Sequence, residues 1–81
     1  MKLYLLSQNQ YSDYDTYDSC VVCAESDEDA KTIYPDGSDF NKKDKWMHCW
    51  ADSLENIQCN EIGVANDNQK RGVICASFNA G

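Results

Sequence analysis

The sequence predicts an α+β fold in which residues 1–81 form a single domain. It is expected to be one antiparallel β-sheet of four to five strands, in the order β-β-α-β-β-β, with one short helix packed on one face. Three observations carry that expectation. Short β-prone runs lie towards both ends of the chain, a single helix-capping signature with a narrow apolar stripe lies between them, and 81 residues suit one small core.

Residues 2–8 are rich in strand formers and read as the first strand, with Leu3 and Leu5 on one face and Tyr4 and Leu6 on the other. Asn9 to Asp18 is polar without an apolar period and reads as a loop. Cys20-Val21-Val22-Cys23-Ala24 is a continuous apolar run, as expected of a central strand. Ser26 followed by Asp27, Glu28 and Asp29 is a Ser-x-x-acid cap, which places carboxylates at the positive end of the helix dipole. Ala30, Ile33 and Tyr34 supply an i, i+3, i+4 stripe, and Pro35 with Asp36-Gly37 stops the helix after about two turns. So short a helix must lean on the sheet to exist.

Ser38 to Lys45 reads as a charged connection. Trp46 to Trp50 fits either a helical or a strand face and is assigned to a strand, and Ser53 to Asn56 reads as a turn. Ile57 to Ala65 and Gly72 to Phe78 are strand-like. The polar, turn-rich segment Asn66 to Arg71 between them predicts that the two pair as an antiparallel hairpin.

Apolar residues make up 42% of the chain, and none of their runs approaches the ~20 residues a bilayer requires, so no membrane partner is expected. Met1 to Gln8 lacks the long apolar core of a signal peptide, which predicts a cytoplasmic address. Four of the five cysteines lie inside or beside apolar, β-prone runs and fit that address as small buried thiols.

Charge is more informative. Residues 1–40 hold nine carboxylates against Lys2 and Lys31, whereas residues 41–81 balance, so the first half carries the whole net charge of −7. Crowded carboxylates repel phosphate and attract cations, which argues against direct nucleic-acid binding.

Constellations that could carry chemistry are few. Cys20 and Cys23 with Cys49, Cys59 and His48 offer a zinc or redox alternative. Against it, residues three apart on a strand face opposite ways, and two valines fill the gap where a metal-binding turn would need glycine. His48 beside Cys49 has no orienting acid at a diagnostic distance, and no phosphate loop or nucleophile elbow is present. The chain therefore reads as a non-enzyme without a cofactor.

The most unusual segment is Tyr11 to Asp18, where Tyr11, Tyr14 and Tyr17 interleave with Asp13, Asp15 and Asp18. The spacing lacks the glycine and downstream glutamate of an EF-hand, so calcium is not the favoured ligand. Tyrosine buries large area at low entropic cost, and carboxylates steer encounter with cations. The segment, with Glu25, Asp27, Glu28 and Asp29, is therefore expected to contact a partner with a basic surface.

Asp13 to Ser19 leading into Val21 to Ser26, together with the ending Gly72 to Gly81, resembles a group of small acidic proteins encoded in phages and prophages. The likeness covers most of the chain and is weakest over residues 36–50. The group has no assigned catalytic residues to carry over. What it implies is a phage setting: an anti-CRISPR or anti-defence inhibitor in the host bacterial cytoplasm, binding a host or defence protein and mimicking nucleic acid with its carboxylates. A self-associating structural protein, pairing Gly72 to Phe78 across a two-fold axis, is a rival reading.

Overall fold

The computed structural model describes residues 1–12, 14–43 and 49–79. Four strands form one antiparallel sheet: β1 (Lys2–Ser7), β2 (Thr16–Ala24), β3 (Gln58–Val64) and β4 (Gly72–Asn79), in the spatial order β3-β1-β2-β4. A single helix, α1 (Asp27–Lys31), follows β2, and 3-10 turns occupy Phe40–Lys42 and Leu54–Asn56. This is the small α+β fold that the sequence predicts.

Apolar content decides which strands lie inside. Leu6 and Val22 are fully buried, and Tyr4 and Cys20 nearly so. The strands that carry them, β1 and β2, take the centre, while β3 and β4, with Gln58, Asn60, Glu61 and Ser77, take the edges. The register places Cys59, Leu6, Cys20 and Ala76 in one row of the covered face and Glu61, Tyr4, Val22 and Val73 in the next.

The expected hairpin between the last two strands does not form. β3 pairs with β1 and β4 with β2, so they lie on opposite edges. A tight two-residue turn would dictate a hairpin, whereas the longer Ala65–Arg71 connection leaves the choice to packing. The turn chemistry is still used: Gln69 N–H donates to Asn66 O at 2.9 Å, and Asn68 N–H to Asn66 Oδ1 at 3.1 Å. Gly72, at φ +142°, then admits the chain into β4.

Two boundaries also move. β2 begins at Thr16, so Tyr17 and Asp18, expected in a loop, belong to a strand that the pairing with Phe78 and Asn79 extends. Helix α1 ends at Lys31 with Thr32 as its cap, so Ile33 and Tyr34 leave the helix yet remain buried. Of the strand expected over Trp46 to Trp50, residues 46–48 lie outside the described residues. Cys49 and Trp50 form a bend.

Five helical residues cannot cover four strands, and irregular segments complete the second layer. Ala30, Ile33, Tyr34, Phe40, Trp50, Ala51 and Ile57 are all buried in one cluster with the covered face of β1 and β2. The opposite face is open except at Cys23, which is fully buried beside Met1. Its rows read Gln58-Ser7-Ser19-Ser77, Asn60-Leu5-Val21-Cys75 and Gly63-Leu3-Cys23-Gly72, without a single charge. Leu3, Leu5 and Val21 remain half-exposed there.

Leu6 sits at the centre of the buried cluster, so Leu6→Ala is expected to cost about 2–5 kcal/mol in urea unfolding. Val64→Thr, at a position 77% exposed, should change stability by less than ~0.5 kcal/mol.

Candidate functional site

The candidate residues fall into two groups, because β2 separates them. Tyr11, Tyr14 and Asp15 precede the strand and Tyr17 and Asp18 open it. Glu25, Asp27, Glu28 and Asp29 follow its far end. Eight residue steps at ~3.3 Å place the groups roughly 26 Å apart, so they do not form one continuous patch. Asp13 lies outside the described residues.

At the helical end, Glu25, Asp27 and Glu28 are exposed. Asp29 is committed to structure. Its N–H donates to Ser26 Oγ at 3.1 Å, and its Oδ2 accepts from Glu25 N–H at 3.1 Å, one residue earlier than a reciprocal capping box would have it. Arg71 clamps the same carboxylate from the connection into β4, at 2.8 Å from Nη2 and 3.0 Å from Nε. The guanidinium holds Asp29 below the usual carboxylate range against the opposing effect of burial, and the Glu25 amide adds to the lowering.

At the other end, Gln8 organises the loop, a role that its sequence context does not signal. Buried to 8% exposure, it donates through Nε2 to the carbonyls of Tyr11 and Tyr17, at 2.7 and 2.9 Å. Its Oε1 accepts from the amides of Gln10 and Tyr11. Tyr11 is turned to the protein itself, its hydroxyl donating to Asp52 Oδ2 at 2.5 Å. That bond, with burial, raises its pKa. Tyr14 points outward, 75% exposed.

Asp15 takes a left-handed backbone, φ +61°, and its N–H donates to Asn79 O at 2.5 Å. Aspartate tolerates that region better than most residues. The turn sets Asp15 on the rim of a cleft of about 460 Å³, lined by Asp15, Tyr17, Tyr34, Asp36, Lys43, Cys49 and Phe78. Tyr17 N–H bonds to Cys49 O at 2.7 Å, and its ring meets Phe78 at 4.8 Å between centroids, tilted by 60°. Tyr34 hydroxyl and Cys49 Sγ lie 3.3 Å apart.

Lys43 closes the far side. Its ammonium pairs with Asp36 and stands 5.1 Å from the Tyr34 ring centroid. Burial opposes ionisation of Asp36, but Lys43 and the Ser38 amide and hydroxyl outweigh it and lower its pKa. Burial raises Tyr17, with Asp36 adding to the effect. Tyr34, Asp36 and Phe78 reach the cleft from segments that sequence reasoning treats as a helix stripe, a helix stop and a strand, so only the three-dimensional arrangement brings them to Asp15 and Tyr17.

The cysteines are dispersed. Cys20 lies in the covered face, where burial pushes its thiol up to about 12. Cys23 faces the other way, 3.9 Å from Met1 Sδ, and Cys59 Sγ lies 3.9 Å from Asp27 O. Among the described residues no three His, Cys, Asp or Glu side chains gather as a metal site would require. His48 lies outside them. No helix among the described residues is long and apolar enough to cross a membrane. No protein-family model, curated protein or solved structure matches the chain.

The Asp29–Arg71 pair has a pH signature. Asp29 has a lower pKa folded than unfolded, so its contribution is present above about pH 4 and is lost as pH falls through the folded value. Both partners are partly exposed, at 29% and 47%, so the contribution is at most about 1 kcal/mol. Arg71→Gln should therefore lower stability by up to that amount at pH 7, and the difference from the wild type should shrink as pH falls below about 4, as followed by urea unfolding across pH.

Proposed function

We propose that this chain is a non-catalytic binding module that docks a basic protein surface through the acidic, tyrosine-bearing end formed by residues 11–18. The observation that carries the reading is the juxtaposition there of the outward Tyr14, the exposed Asp15 and Asp18, and an aromatic-walled cleft. Exposed tyrosine supplies contact area, carboxylates supply steering, and a concave site supplies an anchor point.

The distribution of charge supports the same end. The paired rows of the open sheet face carry no charge, so the described carboxylates lie on the covered side of the sheet and at its ends. Glu25, Asp27 and Glu28 form a second, separate acidic patch that raises the general attraction for cations without sharing the contact. The resemblance to small acidic phage proteins adds a setting: the partner is a host or defence protein whose basic groove ordinarily holds nucleic acid, and the module inhibits it by occupancy. No redox, metal or acyl-transfer step is part of this reading.

The test compares wild type with an Asp15→Asn/Asp18→Asn variant as bait in a bacterial lysate at low and high salt. The wild type is expected to retain a basic protein at low salt and release it at high salt. The variant should lose most of that retention while unfolding at the same urea concentration. Equal retention by both would remove this end of the molecule from the binding surface.

A further inference from the structure

The cleft beside β2 already contains a cation, and that cation comes from the chain itself. Lys43 places its ammonium against Asp36 and over the Tyr34 ring, the arrangement by which proteins hold cationic ligands. Only 28% of the Lys43 side chain is exposed, so the site draws it in from solvent.

Lys43 does not exhaust the site. The cleft is about 460 Å³ and carries a second carboxylate, Asp15, which is exposed and makes no ion pair among the described residues. Tyr17 and Phe78 form a second aromatic wall, distinct from the Tyr34 ring under Lys43, and Phe78 is 46% exposed. Among the described residues, one ammonium against two carboxylates leaves a negative site with a second ring pair.

We propose that this cleft is a receptor for one guanidinium side chain of the partner, seated between the Asp15 carboxylate and the Tyr17–Phe78 wall, and that Lys43 is its internal competitor. The inference rests on the binding role proposed above and names the chemistry the cleft selects. Guanidinium is favoured over ammonium because it is planar, more weakly hydrated and able to stack on a ring while its fork reaches a carboxylate. Lys43 lowers affinity by neutralising Asp36 and by filling the depth of the cleft, so entry of a strong ligand displaces it towards solvent.

The test needs no knowledge of the partner. The full chain is titrated with blocked arginine (N-acetyl-arginine methylamide), with blocked lysine and with tetra-arginine peptide, and amide and aromatic resonances are followed by NMR. Blocked arginine is expected to saturate shifts at Asp15, Tyr17, Asp36 and Phe78 with a dissociation constant on the order of millimolar, tighter than blocked lysine. Asp15→Asn should weaken it. Lys43→Met should tighten it by roughly two- to fivefold, the range that loss of one partly exposed ion pair allows, and a merely structural lysine would not do so. An unchanged amide spectrum for β1 and β2 establishes that each variant is folded.

Shifts with tetra-arginine at Tyr14, Asp18 and the 25–28 patch, but none in the cleft, would overturn the receptor while leaving the basic-surface reading intact. No shift with any of the three probes would overturn both. Weaker binding by Lys43→Met would overturn the competitor role.

Discussion

A four-stranded sheet with one apolar face and a single five-residue helix must find its second layer elsewhere, and the molecule is organised around that shortage. Leu6, Tyr4, Val22 and Cys20 are shielded chiefly by side chains from irregular backbone, with Phe40 and Trp50 the largest. Irregular backbone has no ladder to satisfy its polar groups, so each segment must be tied individually. Phe40 N–H bonds to Thr32 O at 2.8 Å and Tyr34 N–H to Ser38 O at 2.8 Å, and Tyr17 N–H reaches across to Cys49 O. Burial of the aromatics holds the segments down, and the bonds fix where they lie.

The same segments build the cleft. Tyr34, Asp36 and Lys43 belong to the stretch that covers the sheet, while Asp15 and Tyr17 belong to the entry into β2 and Phe78 to the edge strand beside it. Packing and cleft geometry are therefore coupled: what positions Asp36 against Lys43 is the same anchoring that buries Tyr34, Ile33 and Phe40. The uncharged rows of the second sheet face leave the described acidic groups to the covered side of the sheet and to its ends.

Much of the architecture was legible in the residues, and the parts that were not share a cause. Strand formers in residues 2–8 and the apolar run Cys20 to Ala24 identified the two strands that take the centre, because β-prone and apolar content is a local signal. Ser26 with its acidic first turn marked the start of the helix for a local reason, the capping of free amides. Strand pairing is non-local, and the long link Ala65–Arg71 did not constrain it, so the hairpin expectation failed where a tight turn would have secured it.

The acidic character of the Tyr11 to Asp18 segment was likewise visible, but its division of labour was not. Asp52 engages Tyr11, and Phe78 meets Tyr17, from more than forty residues away. The distance between the two acidic groups follows from the length of β2, which the sequence underestimated by assigning Thr16 to Asp18 to a loop. Gln8 carried no signal at all, since a glutamine that serves four backbone groups is spelled like one that serves none.

The central claim is that the irregular layer is structural rather than ornamental, and native-state hydrogen exchange tests it most directly. If the layer and the sheet form one cooperative unit, the amides of Tyr17, Tyr34 and Phe40 will exchange with the same opening free energy as Leu6 and Val22. If those three exchange at nearly unprotected rates while the β1–β2 ladder stays closed, the segments do not hold the covered face, and the account of both fold and cleft fails.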